Sequence, residues 1–176
     1  HFSNRHIGDD ASLAFSLTNT AAADGFSESL NATVGGATGA ATTNGGSFSG
    51  LAAGASNGSA LIVGLDTATV GVKTGTATIN LASDGTGTSG FGALAIGTQT
   101  VNVSGTVFRL AQANNVLGVN FGAVHVGDSV SQALTIQNVA AADGFSEGLD
   151  ASFGGSSDAR ILTSGSITNL AAGGSN

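Results

Sequence analysis

The sequence contains no cysteine, proline, methionine, tryptophan or tyrosine. Without cysteine there is no disulfide framework, thiolate nucleophile, zinc knuckle or iron–sulfur ligation. Positive charge is scarce as well: four Lys+Arg stand against eleven Asp+Glu, for a net charge of -7. That balance argues against nucleic acid and against anionic membrane surfaces as partners. No apolar run approaches the roughly 18 residues that cross a bilayer, so no membrane insertion by this segment is expected. No stretch has the layout of a signal peptide. Aromatic residues are limited to nine Phe, which leaves no stacking platform for bases or sugars once a core is built.

Hydrophobic residues make up 41% of the chain, more than a disordered chain carries. The 29 glycines follow no three-residue period, which excludes collagen. Small polar and β-branched residues with many glycines point to an all-β, loop-rich protein.

A repeat longer than half the chain runs through it. Ala21-Ala22-Ala23-Asp24-Gly25-Phe26-Ser27-Glu28 recurs as Ala140-Ala141-Ala142-Asp143-Gly144-Phe145-Ser146-Glu147, an offset of 119 residues from Phe26 to Phe145. The same offset carries Phe2 to Phe121, His6 to His125, Asp9 to Asp128, Asn19 to Asn138 and Leu51 to Leu170. Roughly half the positions of 1–57 match 120–176. The organisation expected is a complete unit over 1–108, a linker over 109–118 and the first half of a second unit over 119–176. The second unit has no copy of Leu61 to Phe108. A half-domain cannot bury its apolar face alone, so later sequence or a neighbouring chain is expected to complete it.

Alternation with period two marks the strands. Leu13, Phe15 and Leu17 form one stripe; Leu61, Val63 and Leu65 another; Ala77, Ile79 and Leu81 a third; Val101, Val103 and Val107 a fourth. Weaker strands are expected at 2–7, 30–34 and 46–51, and Gly105 is expected to mark a bulge. Asp24-Gly25, Asn44-Gly45, Asn57-Gly58 and Asp84-Gly85 are turn dipeptides, and 83–92 reads as a long loop. About seven strands in each unit of about 119 residues fit an Ig-like antiparallel β-sandwich.

The strand-like Asn120-Phe121-Gly122-Ala123-Val124-His125-Val126-Gly127-Asp128, then Gln132-Ala133-Leu134-Thr135-Ile136-Gln137-Asn138, resemble the choice-of-anchor D repeats of bacterial surface proteins. Val63-Gly64-Leu65-Asp66, Lys73-Thr74-Gly75-Thr76-Ala77 and Thr100-Val101-Asn102-Val103-Ser104-Gly105 carry the likeness onward. Those repeats are similar to the wider group of Ig-like domains to which ASPM and Hydin give their names. The resemblance covers 1–108 and 119–176. It implies a seven-stranded Ig-like sandwich in large, secreted, surface-attached bacterial proteins, and it implies no catalytic residues.

The Asp-Gly-Phe-Ser-Glu segment is the best candidate site. Asp24 and Glu28, and Asp143 and Glu147 in the second unit, could offer oxygens to calcium. The plainer reading is a turn whose Asp caps backbone N–H groups and whose Phe plugs the end of the sandwich. Phe2, His6, Phe121 and His125 fall on expected edge strands and are candidates for strand or subunit contacts. Two histidines a domain apart do not make a zinc site. A Ser-His-Asp set can be assembled from any serine-rich chain, and Ser104 lies within a regular strand; a hydrolase is not expected. Gly85-Thr86-Gly87 has no following Lys-Ser/Thr and no helix, which removes a phosphate loop. Lys73, the only lysine, falls at a turn rather than in the buried setting of an isopeptide crosslink. Asn31, Asn57 and Asn102 open N-x-Ser/Thr triplets, which arise by chance in such a composition.

The function expected is structural: a non-enzymatic repeat, outside the cell or on its surface or in the extracellular matrix of a bacterium, that builds a fibre, sheath or stalk with copies of itself. One version is strand donation into 120–176 by the next subunit. The other reading is an adhesin-type module or spacer that presents loops such as 83–92 and 36–46 to a glycan or host ligand. No cofactor beyond calcium is expected.

Overall fold

A computed structural model describes residues 1–176. The chain folds into strands and turns with no helix. It divides into two compact units, His1–Val107 and Phe108–Asn176.

The first unit is β-sandwich-like. Its larger sheet holds β1 (Arg5–His6), β4 (Ser29–Gly39), β6 (Ser47–Leu51), β9 (Gly71–Asp84) and β10 (Leu94–Phe108), in the order β1-β10-β9-β4-β6. A second sheet holds β2 (Ser12–Ala14), β8 (Ile62–Leu65) and β5 (Ala41–Thr43), in the order β2-β8-β5. A short pair joins β3 (Leu17–Thr18) to β7 (Ser56–Asn57). Strand β9 is antiparallel to both β4 and β10.

The alternation read in the sequence decides what faces inward. Ala77 and Ile79 on β9 are buried, as are Val103 and Val107 on β10 and Val63 and Leu65 on β8. Two apolar clusters result. One gathers Ala11, Ala41, Val63, Leu65, Ala77, Val103 and Val107, with Phe2 against it. The other gathers Ala32, Val34, Leu61 and Ile79, with Leu17 and Phe48 against it. Phe15 and Val101 touch both. Fully burying an aliphatic side chain is worth about 1.5–3 kcal/mol, so these few residues carry much of the unit's stability.

Several expectations change in detail. The stripe Leu13-Phe15-Leu17 is broken, because 12–14 pair with β8 while 17–18 pair with β7. Leu13 is exposed, and Phe15 and Leu17 are half-buried. Residues 83–84 continue β9, because Ser29 and Leu30 of β4 pair with Asp84 and Ser83. Of the expected strand 2–7 only Arg5–His6 is strand. Gly105 marks no bulge: its register with Lys73 is regular, and the bulge on β10 lies between Ala95 and Gly97. A Cβ on Gly105 would sit 2.6 Å from Leu65 Cδ2 and 3.1 Å from the Phe2 carbonyl oxygen. The glycine is there for close packing.

The second unit is built differently. Its one extended pair is β11 (Leu149–Ser152) with β12 (Ser166–Leu170), antiparallel. Isolated bridges join Arg109 to Ser146, Ala113 to Asn138 and Gln137 to Ser175. Residues 109–114, within the expected linker, are hydrogen-bonded into this unit: Arg109 N–H to the Phe145 carbonyl at 2.9 Å, and Asn114 N–H to the Gln137 carbonyl at 3.0 Å. Of its apolar side chains only Ala140 is buried, while Phe121, Val124, Val126, Val130, Phe153, Ile161 and Leu162 are exposed.

Candidate functional site

The offset of the repeat appears in the structure as the same hydrogen bonds at equivalent residues. Asn19 is buried, and its Nδ2 donates to the carbonyls of Glu28 at 3.1 Å and Leu51 at 3.0 Å. Its Oδ1 accepts from Ala21 N–H at 3.2 Å. Asn138, 1% exposed, donates to the carbonyls of Glu147 and Leu170, both at 3.0 Å, and accepts from Ala140 N–H at 3.2 Å. Its Oδ1 also accepts from Gln112 N–H at 3.1 Å. An amide side chain suits this place because it offers two donors and an acceptor at one point. The pair Asn19 and Asn138 was visible in the offset, but their burial was not. A second shared detail is the backbone turn at Gly50, where φ is +66°. The second unit puts Asn169 there at φ +52°, a conformation Asn tolerates better than most residues.

Within the Asp-Gly-Phe-Ser-Glu segments, the aspartates cap turns as read from the sequence. Asp24 Oδ1 accepts from Phe26 N–H at 2.9 Å and from the Ser27 hydroxyl at 3.4 Å. The Phe26 N–H is the main cause that lowers the Asp24 pKa from its ordinary value. Phe26 itself is 89% exposed, so it plugs nothing. Its counterpart Phe145 is half-buried and packs on Phe108, with ring centroids 6.1 Å apart. Asp143 has a further partner: Arg109 Nη1 donates to its Oδ2 at 2.6 Å and holds its pKa down.

Glu28 turns away from that cap and anchors the far loop. Its Oε2 accepts from the Ser83 hydroxyl at 2.6 Å and its Oε1 from the Ser89 hydroxyl at 2.5 Å. Those two bonds, Ser83 first, lower its pKa despite the nearby Asp84. The main chain of Glu147 donates to the Arg109 carbonyl at 3.1 Å. Calcium takes six to eight oxygens. Nowhere do three or more His, Cys, Asp or Glu residues gather in one group.

Phe2 and His6 are built into the first unit's own sheet. Phe2 N–H donates to the Ser104 carbonyl at 2.8 Å and its ring packs on the first core cluster, while His6 lies on the edge strand β1. Phe121 and His125 lie outside any strand. Both histidines begin the same turn: His6 N–H donates to Asp9 Oδ2 at 2.8 Å, and His125 N–H to Asp128 Oδ2 at 2.9 Å.

Gly144-Phe145-Ser146-Glu147-Gly148 has the G-x-S-x-G spacing of a nucleophile elbow, which sequence reasoning missed. In the structure the Ser146 hydroxyl donates to the Ala141 carbonyl at 2.6 Å and accepts from Arg109 at 3.0 Å. The chain then enters a strand, β11, where an elbow enters a helix.

A cleft with apolar walls lies in the second unit. Its volume is about 290 Å³, and its walls include Leu134, Ile136, Ala151, Phe153 and Ile167. The offset maps these five onto Phe15, Leu17, Ala32, Val34 and Phe48. In the first unit those five residues surround Leu61 and Ile79 in the second core cluster.

No protein-family profile, curated protein or solved structure matches the chain.

Proposed function

We propose that this chain is a non-catalytic structural repeat of an extracellular bacterial surface or matrix protein, of Ig-like sandwich type. Its units assemble into a fibre, sheath or stalk through packing or strand complementation. The observation that carries the reading is the contrast between the units. The first packs the segment 61–107 on its apolar residues; in the second the equivalent residues line an uncovered cleft, with Phe153 exposed and Leu134, Ile136, Ala151 and Ile167 half-buried. Exposed apolar patches of this kind serve as interaction surfaces. Strand addition to an open sheet edge supplies main-chain hydrogen bonds as well. Electron microscopy of the native material tests it. Filaments with a regular axial repeat are expected, and discrete particles without axial order would overturn the reading.

A second reading, an adhesin-type module, draws support from the tip of the β9–β10 hairpin. Phe91, Leu94 and Ile96 are all exposed there. Saturable binding of the monodisperse chain to glycans or cells, lost in Phe91→Ser, would favour it over assembly.

A further inference from the structure

We infer that the cleft of the second unit is a docking groove for a β-strand pair with the residue pattern of Leu61–Leu65 and Gly71–Asp84. This rests on the structural-repeat reading above and names the occupant it leaves open.

Three observations converge. The first is the open edge. In the first unit β4 has two neighbours, β6 and β9. The offset maps β11 onto 30–33 and β12 onto β6. Strand β11 keeps the β12 neighbour and lacks the other. Its second edge therefore presents unpaired backbone groups, the template for strand addition.

The second is the register. Across β4 and β9, Ala32 faces Leu81 and Val34 faces Ile79. Transferred by the offset, an incoming antiparallel strand would set a leucine opposite Ala151 and an isoleucine opposite Phe153. Every second residue of that strand then enters the cleft, which fits the Ala77-x-Ile79-x-Leu81 pattern.

The third is a second exposed segment beside the first. In the first unit β2 pairs with β8, and Leu61 adjoins β8 in the second core cluster. The counterpart of β2, residues 131–133, is unpaired and exposed. Both missing neighbours, β8 and β9, come from the part of the repeat the second unit has no copy of. Their apolar positions are the side chains that fill the equivalent space.

A folded second copy of this chain does not meet the requirement. Its Leu61 and Ile79 are 1% and 0% exposed, held in its own first unit. Its Phe2 is likewise packed on its own core. The occupant is a segment of the second-half type, with the pattern of Leu61–Leu65 and Gly71–Asp84.

The test joins a copy of residues 58–108 to the chain after Asn176 and follows amide hydrogen exchange and methyl contacts by NMR. The expected result is that the amides of 149–153 slow by at least about 100-fold, into the range of paired strands. Contacts should appear from Leu134, Ile136 and Ile167 to the appended counterparts of Leu61 and Ile79. A second version, with those two appended counterparts replaced by Asp, should lose the slowing while the first unit's exchange is unchanged. An appended segment that leaves 149–153 as fast as before overturns the proposal. So does slowing of the same amides in the unextended chain on raising its concentration, which would make a second copy the occupant. Native filaments together with an idle groove would sink this proposal alone. A filled groove without native filaments would sink the assembly reading alone.

Discussion

Replacing Asn19 by Ala removes three hydrogen bonds at one buried point: two donated to the Glu28 and Leu51 carbonyls, and one accepted from Ala21 N–H. Each such bond contributes about 1 kcal/mol net. The variant should therefore lose about 3 kcal/mol, and more if the carbonyls find no water. For a unit of this size that corresponds to a fall in Tm of about 12 °C or more. The assay is urea denaturation followed by far-UV circular dichroism, since the chain has neither Trp nor Tyr for fluorescence. Thr20→Ala, one residue along and exposed, serves as control and should stay within about 0.5 kcal/mol. Asn19→Asp adds a sign test. It keeps the acceptor but points a carboxylate at two carbonyls, which raises the introduced group's folded pKa above its unfolded value. The folded state then binds the extra proton, so the variant loses further stability as pH rises through the carboxylate range. A loss below about 1 kcal/mol for Asn19→Ala would refute the idea that this asparagine ties the unit together.

Glu28 has a lowered folded pKa because Ser83 and then Ser89 donate to it. Its contribution is therefore present above its ordinary pKa and is lost as pH falls through the lowered one. NMR titration should show the depression, and Ser83→Ala with Ser89→Ala should return the group toward its ordinary value. Gly75→Ala would drive a methyl into the backbone at Thr38, Ala40 and Ala41. The cost should be about 2 kcal/mol or more in the same urea assay. Arg109→Gln should raise the Asp143 pKa, whose first cause of depression is the Arg109 hydrogen bond. Asp24, held down by Phe26 N–H, should titrate as before.

The strands of 61–107 were legible because their inner faces alternate strictly, and alternation is all that a half-buried strand needs. The ends of β9 and β10 were not legible. Ser83-Asp84 and 94–100 show no buried face, and they are strand because β4, β9 and β10 supply one another's backbone partners. The turn at Asp24 was legible since Asp-Gly carries its own local chemistry. The fate of Phe26 depends on what lies across from it, which no local pattern records. The same holds for Gly105, whose reason is Leu65, forty residues earlier in sequence. Of the candidate contact residues only His6 falls in a strand, at the sheet edge, and Phe2, Phe121 and His125 do not. Asn138 was legible only as half of a repeated pair.

The two units separate what holds this repeat together. The asparagine ties close within 19–55 and again within 138–174. They form in the second unit although its only buried apolar side chain is Ala140. The apolar clusters, by contrast, need Leu61, Ile79, Val103 and Val107 from the later half. Three side-chain hydrogen bonds at Asn19 or four at Asn138, at about 1 kcal/mol each, are small beside the loss of backbone freedom, about 1–2 kcal/mol per ordered residue. The polar tie can therefore set the geometry of the first half but cannot by itself hold the residues of Phe108–Asn176 in place. A second unit with the tie formed and the apolar face open gains its remaining stability only when that face is covered. On the docking proposed above, covering that face is the step on which order in the second unit depends.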